Sequence, residues 1–259
     1  MKIQKLFGFL FCGIILFSPV QIISQDMSKD QLFIIHEEIA KVDKYDQYEE
    51  TSKEWVTLMT EAGLDIPRIH ASQRDDFHFY YLLIPIANYG ELDKIHEKFT
   101  NAYEKLDKQK SSVFEKKNNE SIESFKQFVV KWSAELSYIP KEPHLKPGEG
   151  KFMHWMFFNY KIGNKDDVKS ILKEWKELYE KNNIPYEYDV WTIELGENSN
   201  TLVVNELYKD GADFYNSMND ISSKIKEDEK KLWEKFSQFI ISVENKYGRI
   251  RSDLSYIKK

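Results

Sequence analysis

Lys53-Glu54-Trp55 returns 120 residues later as Lys173-Glu174-Trp175. Sliding residues 38–58 over 158–178 at that spacing gives six identities in twenty-one: Lys41/Lys161, Asp46/Asp166, Lys53/Lys173, Glu54/Glu174, Trp55/Trp175 and Leu58/Leu178. A second landmark closes each half, where Leu136-Ser137-Tyr138-Ile139 recurs as Leu254-Ser255-Tyr256-Ile257. Just before it, Phe125, Gln127 and Phe128 match Phe236, Gln238 and Phe239. One shared tripeptide is weak evidence in a chain rich in Lys and Glu. Three landmarks in the same order read as a duplication.

The two copies, 31–140 and 151–259, are joined by a linker over 141–150 that follows Pro140 and carries Pro143, Pro147, Gly148 and Gly150. Such a segment continues neither a helix nor a central strand. In the second copy, Phe152 to Ile162 is long and aromatic enough for a buried strand. Val168, Ile171, Leu172, Trp175, Leu178 and Tyr179 then form one helical face, opened by Asp166-Asp167 and ended by Asn182-Asn183 and Pro185. Tyr186 to Leu195 and Thr201 to Tyr208 read as a hairpin. A second helical region follows Gly211 through Phe236, Phe239, Ile240 and Val243, is closed by Gly248, and precedes a last strand over Ser252 to Ile257.

The first copy repeats that order. Leu32 to Ala40 reads as a strand and Asp46 to Ala62 as a helix stopped by Gly63. Arg68 to Ser72 and Phe77 to Ile86 form a hairpin around Gln73-Arg74-Asp75-Asp76. The second helical region starts at Leu92 and resumes with Ile122, Phe125, Phe128, Val129 and Trp132, and Glu135 to Ile139 is the closing strand. Lys105 to Glu120 reads as a solvated helix face or protruding turn.

Each copy is thus β-α-β-β-α-β, a ferredoxin-like α+β unit with one sheet face left bare. Two such units in one chain cover each other, sheet to sheet, as an intramolecular barrel. In this element order and duplication the chain resembles the dimeric α+β barrel superfamily in tandem form. That superfamily includes antibiotic-biosynthesis-type monooxygenases and haem-handling enzymes. The resemblance implies a barrel, and no family motif assigns a catalytic residue.

The N-terminus reads as an address. Lys2 and Lys5 precede an apolar run from Leu6 to Phe17, broken by Ser18-Pro19 and followed by Ser24-Gln25-Asp26. That is the order of a signal peptide over residues 1–24, too short for a comfortable membrane span, and it predicts export to the periplasm or beyond the cell. Its removal takes the net charge from −6 to −8 and removes Cys12, the one cysteine among 259 residues. A thiol nucleophile, a disulfide framework and a cysteine metal site are excluded. The acidic balance excludes a nucleic-acid footprint, and the mature chain is expected to have no membrane segment. A monomer can complete the barrel.

No phosphate-binding loop, H-E-x-x-H or G-x-S-x-G elbow is present, and no spacing suggests a metal centre. Histidines on predicted strands carry what chemistry the sequence offers. Strand alternation, with the more uniformly apolar face of the first strand given to the helices, sends His36 and Glu38 into the barrel. In the second copy it sends His154, Met156, Phe158 and Tyr160 the same way. His70, His78, Tyr80 and Asn205 complete a polar lining inside an aromatic barrel. Imidazole beside carboxylate can act as a general base. The plain alternative places these histidines at strand ends or as hydrogen-bonded core residues. The residues favour an exported protein that binds a small apolar or aromatic ligand. A cofactor-independent monooxygenase-like enzyme, suggested by the resemblance, and a scaffold with a filled barrel stay open.

Overall fold

The computed structural model describes residues 29–74, 77–196 and 198–258. The signal-peptide reading over 1–24, and Asp75, Asp76 and Glu197 of the two hairpin turns, lie outside the described residues.

The first half runs β1 (Gln31–Ala40), α1 (Tyr45–Ala62), β2 (Arg68–Arg74), β3 (His78–Ile86), α2 (Leu92–Tyr103), α3 (Lys108–Ser121) and β4 (Ile122–Trp132). The second runs β5 (Phe152–Tyr160), α4 (Lys165–Lys181), β6 (Tyr188–Leu195), β7 (Thr201–Tyr208), α5 (Gly211–Ser237), β8 (Ile240–Ile250) and the short β9 (Tyr256–Ile257). Within the first half the strands lie in the order β4-β1-β3-β2, and within the second β8-β5-β7-β6, all antiparallel. The outer strands of the two sheets then pair with each other, β4 with β6 and β2 with β8. The result is a closed eight-stranded ring, β1-β4-β6-β7-β5-β8-β2-β3. The sheets therefore meet edge to edge through hydrogen bonds, and closure removes most of the unpaired edge.

Helices α1 to α3 cover one outer wall over a core built on Tyr48, Leu58, Met59, Phe79 and Ile95. Helices α4 and α5 cover the opposite wall over Ile171, Leu172, Val190, Ile221 and Phe236. A third cluster, Phe33, Val130, Trp132 and Ile193, fills part of the barrel itself. Trp55 and Trp175, expected to pack helix on sheet, pack beside their cores. The Trp55 indole also donates to the Tyr103 hydroxyl of α2 at 2.9 Å.

Helix α1 ends where Gly63 adopts a left-handed φ of 65°. The Gly63 N–H reaches the Thr60 carbonyl and the Leu64 N–H reaches that of Met59, a Schellman end. Helix α4 ends the same way, with Asn183 (φ 48°) in the glycine's place and Ile184 in that of Leu64. Both Leu64 and Ile184 are fully buried.

The ends of the two halves differ from the sequence reading. Ile122–Trp132 and Ile240–Ile250 are strands, and Glu135 to Ile139 forms only an isolated bridge, Tyr138 to Tyr188. The N-terminal parts of β4 and β8 run past the seams, so residues on both of their faces are exposed and the period of two is blurred. Phe125, Phe128, Val129 and Trp132 then mimic helical spacing. Gly248 closes no helix. It lies at the β2–β8 seam, where a Cβ would overlap the Gln73 carbonyl.

The repeated Leu-Ser-Tyr-Ile segments are clasps, each gripping the other half. Leu136 and Tyr138 are buried in the core beneath α4 and α5, and Leu254 and Tyr256 in the core beneath α1 to α3. Ser137 Oγ accepts the Val190 N–H at 2.9 Å, and Ser255 Oγ accepts that of Ala71 at 3.0 Å. The Tyr138 hydroxyl donates to the Ile184 carbonyl at 2.7 Å, and that of Tyr256 to the Leu64 carbonyl at 2.8 Å. Arg251, buried beside the second clasp, binds Glu49 at 2.6 Å, Gln73 at 2.7 Å and Asp253 at 2.8 Å.

Candidate functional site

Alternation along eight strands gives the barrel an inner face, and the bulky residues on it leave a cavity of about 360 Å³. Its wall is apolar over most of its area: Phe33, Ile35, Leu82, Phe128, Trp155 and Phe157 are among the residues that face it. A chamber of this size holds a small organic molecule. The polar groups in the wall are few. They include His70 and Ser72 on β2, Tyr80 on β3, Glu187 just before β6, Tyr188 and Asp189 at its start, and Asn205 on β7.

His70 and Tyr188, both in the lining, each carry a buried polar atom without a hydrogen-bond partner. For His70 that atom is Nε2. Burial, and secondarily the charge of Arg68, push the His70 pKa down to about 4, so the ring is neutral at physiological pH. A buried polar atom normally finds a partner, and one left unpaired in a residue of the chamber wall calls for an explanation.

Asp189 is held firmly. The Trp132 indole donates to its Oδ1 at 2.7 Å, and the Asn205 amide donates to the same carboxylate. Asn205 in turn accepts the Trp191 indole N–H. Burial raises the Asp189 pKa to about 6 against the opposing effect of those donors, and burial plus the Asp189 charge raise that of Glu187 to about 7. A carboxylate poised near neutrality in a dry pocket is suited to moving protons.

Three of the seven sequence-predicted residues, His70, Tyr80 and Asn205, line this chamber. His36, Glu38 and His154 face the helices instead, a correction to the face assignment. His36 Nε2 lies 2.9 Å from Glu38 Oε1, and Glu38 Oε2 accepts the Tyr48 hydroxyl of α1 at 2.6 Å. His154 is buried between Glu206 and Asn245, each at 2.9 Å, and stacks on Tyr247. The alternation rule failed because both faces of β1 are buried, and Phe33 with Ile35 makes the inner face as apolar as the outer. His78 is on the inner face but beyond the chamber, where it meets Glu37 Oε1 at 3.0 Å and the Arg74 guanidinium. That guanidinium lies over the Tyr80 ring, 5.5 Å from its centroid.

Glu187 and Asp189 were missed. Their signal was present: they alternate with Tyr188 and Val190, which puts both acids on one face with Trp191. Among the described residues no group of three or more His, Cys, Asp or Glu could hold a metal ion, and no helix is long and apolar enough to cross a membrane.

No family model matches the chain, and no curated protein matches it. Solved structures do. A protein named as a monooxygenase from Lactobacillus acidophilus NCFM superposes with a TM-score of 0.53 at 12% identity, covering 89% of this chain and 97% of that one. One named as a monooxygenase from Fusobacterium nucleatum subsp. nucleatum ATCC 25586 gives 0.54 at 15% identity, over 89% and 95%. An anthrone oxidase-like protein gives 0.58 at 10% identity, over 90% and 96%. The chain thus shares the fold of dimeric α+β barrel proteins, here closed within one polypeptide.

Proposed function

We propose that the barrel interior is a reaction chamber in which molecular oxygen oxidises a flat aromatic carbon acid without a bound cofactor. The observation that carries this is the buried, unpartnered Nε2 of His70, a residue in the wall of a mostly apolar cavity. Its size and aromatic wall suit a bicyclic or tricyclic ring system. The names of the three structural neighbours point to the same class of reaction, which is the alternative raised by the sequence rather than its first choice.

The chemistry is complete with substrate and oxygen alone. A ring CH2 activated by a carbonyl loses a proton to a base in the wall, and the resulting carbanion is delocalised onto the carbonyl oxygen. It supplies the electrons that form a carbon–oxygen bond with O2, and protonation gives a hydroperoxide. Loss of the remaining C–H proton, with cleavage of the O–O bond and departure of water, leaves a new carbonyl. One CH2 and one O2 become one C=O and one H2O. A dry chamber favours the carbanion's partners over bulk solvent.

The same reading takes the two halves as duplicated ferredoxin-like units over 31–140 and 151–259, supported by their common strand order and reciprocal clasps. It takes residues 1–24 as an export signal, on the n-region and apolar core. Anthrone is the test substrate: oxygen uptake with release of anthraquinone, unaffected by chelators and without added flavin, is expected. Binding of anthrone with no oxygen uptake would replace the enzyme with a binding protein, the reading that the sequence alone favoured.

A further inference from the structure

His70 and Asp189 occupy corresponding places on opposite walls. In the ring β1-β4-β6-β7-β5-β8-β2-β3, three strands lie between β2 and β6 in either direction, so they face each other across the barrel. Their heights correspond as well. On β2, Ser72 pairs with Ile250 across one seam, and on β6, Trp191 pairs with Trp132 across the other. His70 lies two residues before Ser72, and Asp189 two before Trp191. Both line the same cavity, and His70 Nε2 has no hydrogen-bond partner.

From this juxtaposition, and resting on the reading of the cavity as a reaction chamber, we infer that Asp189 and His70 grip opposite edges of one flat substrate, Asp189 as the catalytic base and His70 as the donor to a carbonyl. The substrate class follows: a planar aromatic ketone whose acidic CH2 lies across the ring from its carbonyl oxygen. The C–H bond at the Asp189 edge breaks and its proton passes to the carboxylate. The electron pair moves through the ring to the far oxygen, which becomes an enolate and accepts the Nε2–H of His70. Trp132 and Asn205 hold Asp189 from the side, so the carboxylate cannot turn away when it is protonated. The neutral imidazole donates without adding a second charge to the chamber. Glu187 precedes β6 by one residue and lies two residues from Asp189 along the chain, off the level that Asp189 shares with His70.

The test separates this inference from the reading beneath it. The full chain is mixed with anthrone in D2O under argon, where no oxidation can proceed. Binding is followed by quenching of tryptophan emission, because Trp155 and Trp191 line the cavity. Deuterium entry at the CH2 is followed by NMR. Wild type is expected to bind anthrone at least tenfold more tightly than anthracene and to catalyse exchange. Asp189→Asn should keep binding within threefold and lose exchange by at least a hundredfold. His70→Phe should weaken anthrone tenfold while leaving anthracene unchanged, with Tyr215→Phe, at an exposed tyrosine of α5 outside the cavity wall, as a control that moves neither. Exchange that survives Asp189→Asn, or anthrone and anthracene weakened alike by His70→Phe, overturns the inference while the chamber stands. Absence of any quenching by anthrone in wild type overturns both.

Discussion

Replacing Tyr138 and Tyr256 by phenylalanine, singly and together, tests whether the clasps bind the two halves into one cooperative unit. Tyr256 is 1% exposed and its hydroxyl is the donor to the Leu64 carbonyl; Tyr138 is 4% exposed and serves the Ile184 carbonyl. Removing the hydroxyl leaves a buried carbonyl without that donor and costs about 1–3 kcal/mol at each site. For a chain of this size each loss lowers Tm by roughly 2–12 °C. The two sites lie in different cores, so their effects on free energy should add within about 0.5 kcal/mol. Each clasp belongs by sequence to one half and by packing to the other. Either substitution should therefore shift one common transition and leave it single. Calorimetry with circular dichroism at two wavelengths reads this directly, and Tyr215→Phe, at an exposed tyrosine, should move Tm by less than 1 °C. A Tyr256→Phe profile split into two transitions, only one of them lowered, would refute the argument that the halves fold as one.

Asp189→Asn should stabilise the free protein at pH 8 and do nothing at pH 4. The folded-state pKa of about 6 is raised above the unfolded value near 3.8, so stability is full below pH 3.8 and is lost as pH rises through 6. The ionised form then carries a penalty of about 2–3 kcal/mol that the amide does not, visible as a higher urea midpoint at pH 8 alone; equal midpoints there would count against a strained carboxylate. Either half expressed alone, with its own Leu-Ser-Tyr-Ile segment, should run as a homodimer that exchanges clasps or else aggregate, by light scattering after gel filtration. A well-behaved monomeric half would remove the basis for the seam argument.

What the sequence disclosed and what it hid divide along a physical line. The strand–helix–strand openings of both halves were legible because their signals are local: the apolar stripe of α4, the left-handed Gly63 that ends α1 and Asn183 that ends α4. The closing strands were not, because β4 and β8 are half in the ring and half beyond it, and a strand with two exposed faces shows no alternation to read. The Leu-Ser-Tyr-Ile repeat was found, but its partner surface belongs to the other half, which no local window contains. The site shows the same division. His70, Tyr80 and Asn205 were placed inward by alternation, whereas His36, Glu38 and His154 were misplaced because a wall buried on both faces offers no polar side to orient it. Asp189 went unnoticed for a related reason: an acid between Tyr188 and Val190 looks like a solvated position, and only closure of the ring brings it opposite His70. A carboxylate destabilised by burial and an unpartnered imidazole nitrogen on opposite walls of a mostly apolar space add nothing to stability. Each is better satisfied with a ligand between them, which is why the interior of this barrel is read as a working chamber and not as a filled core.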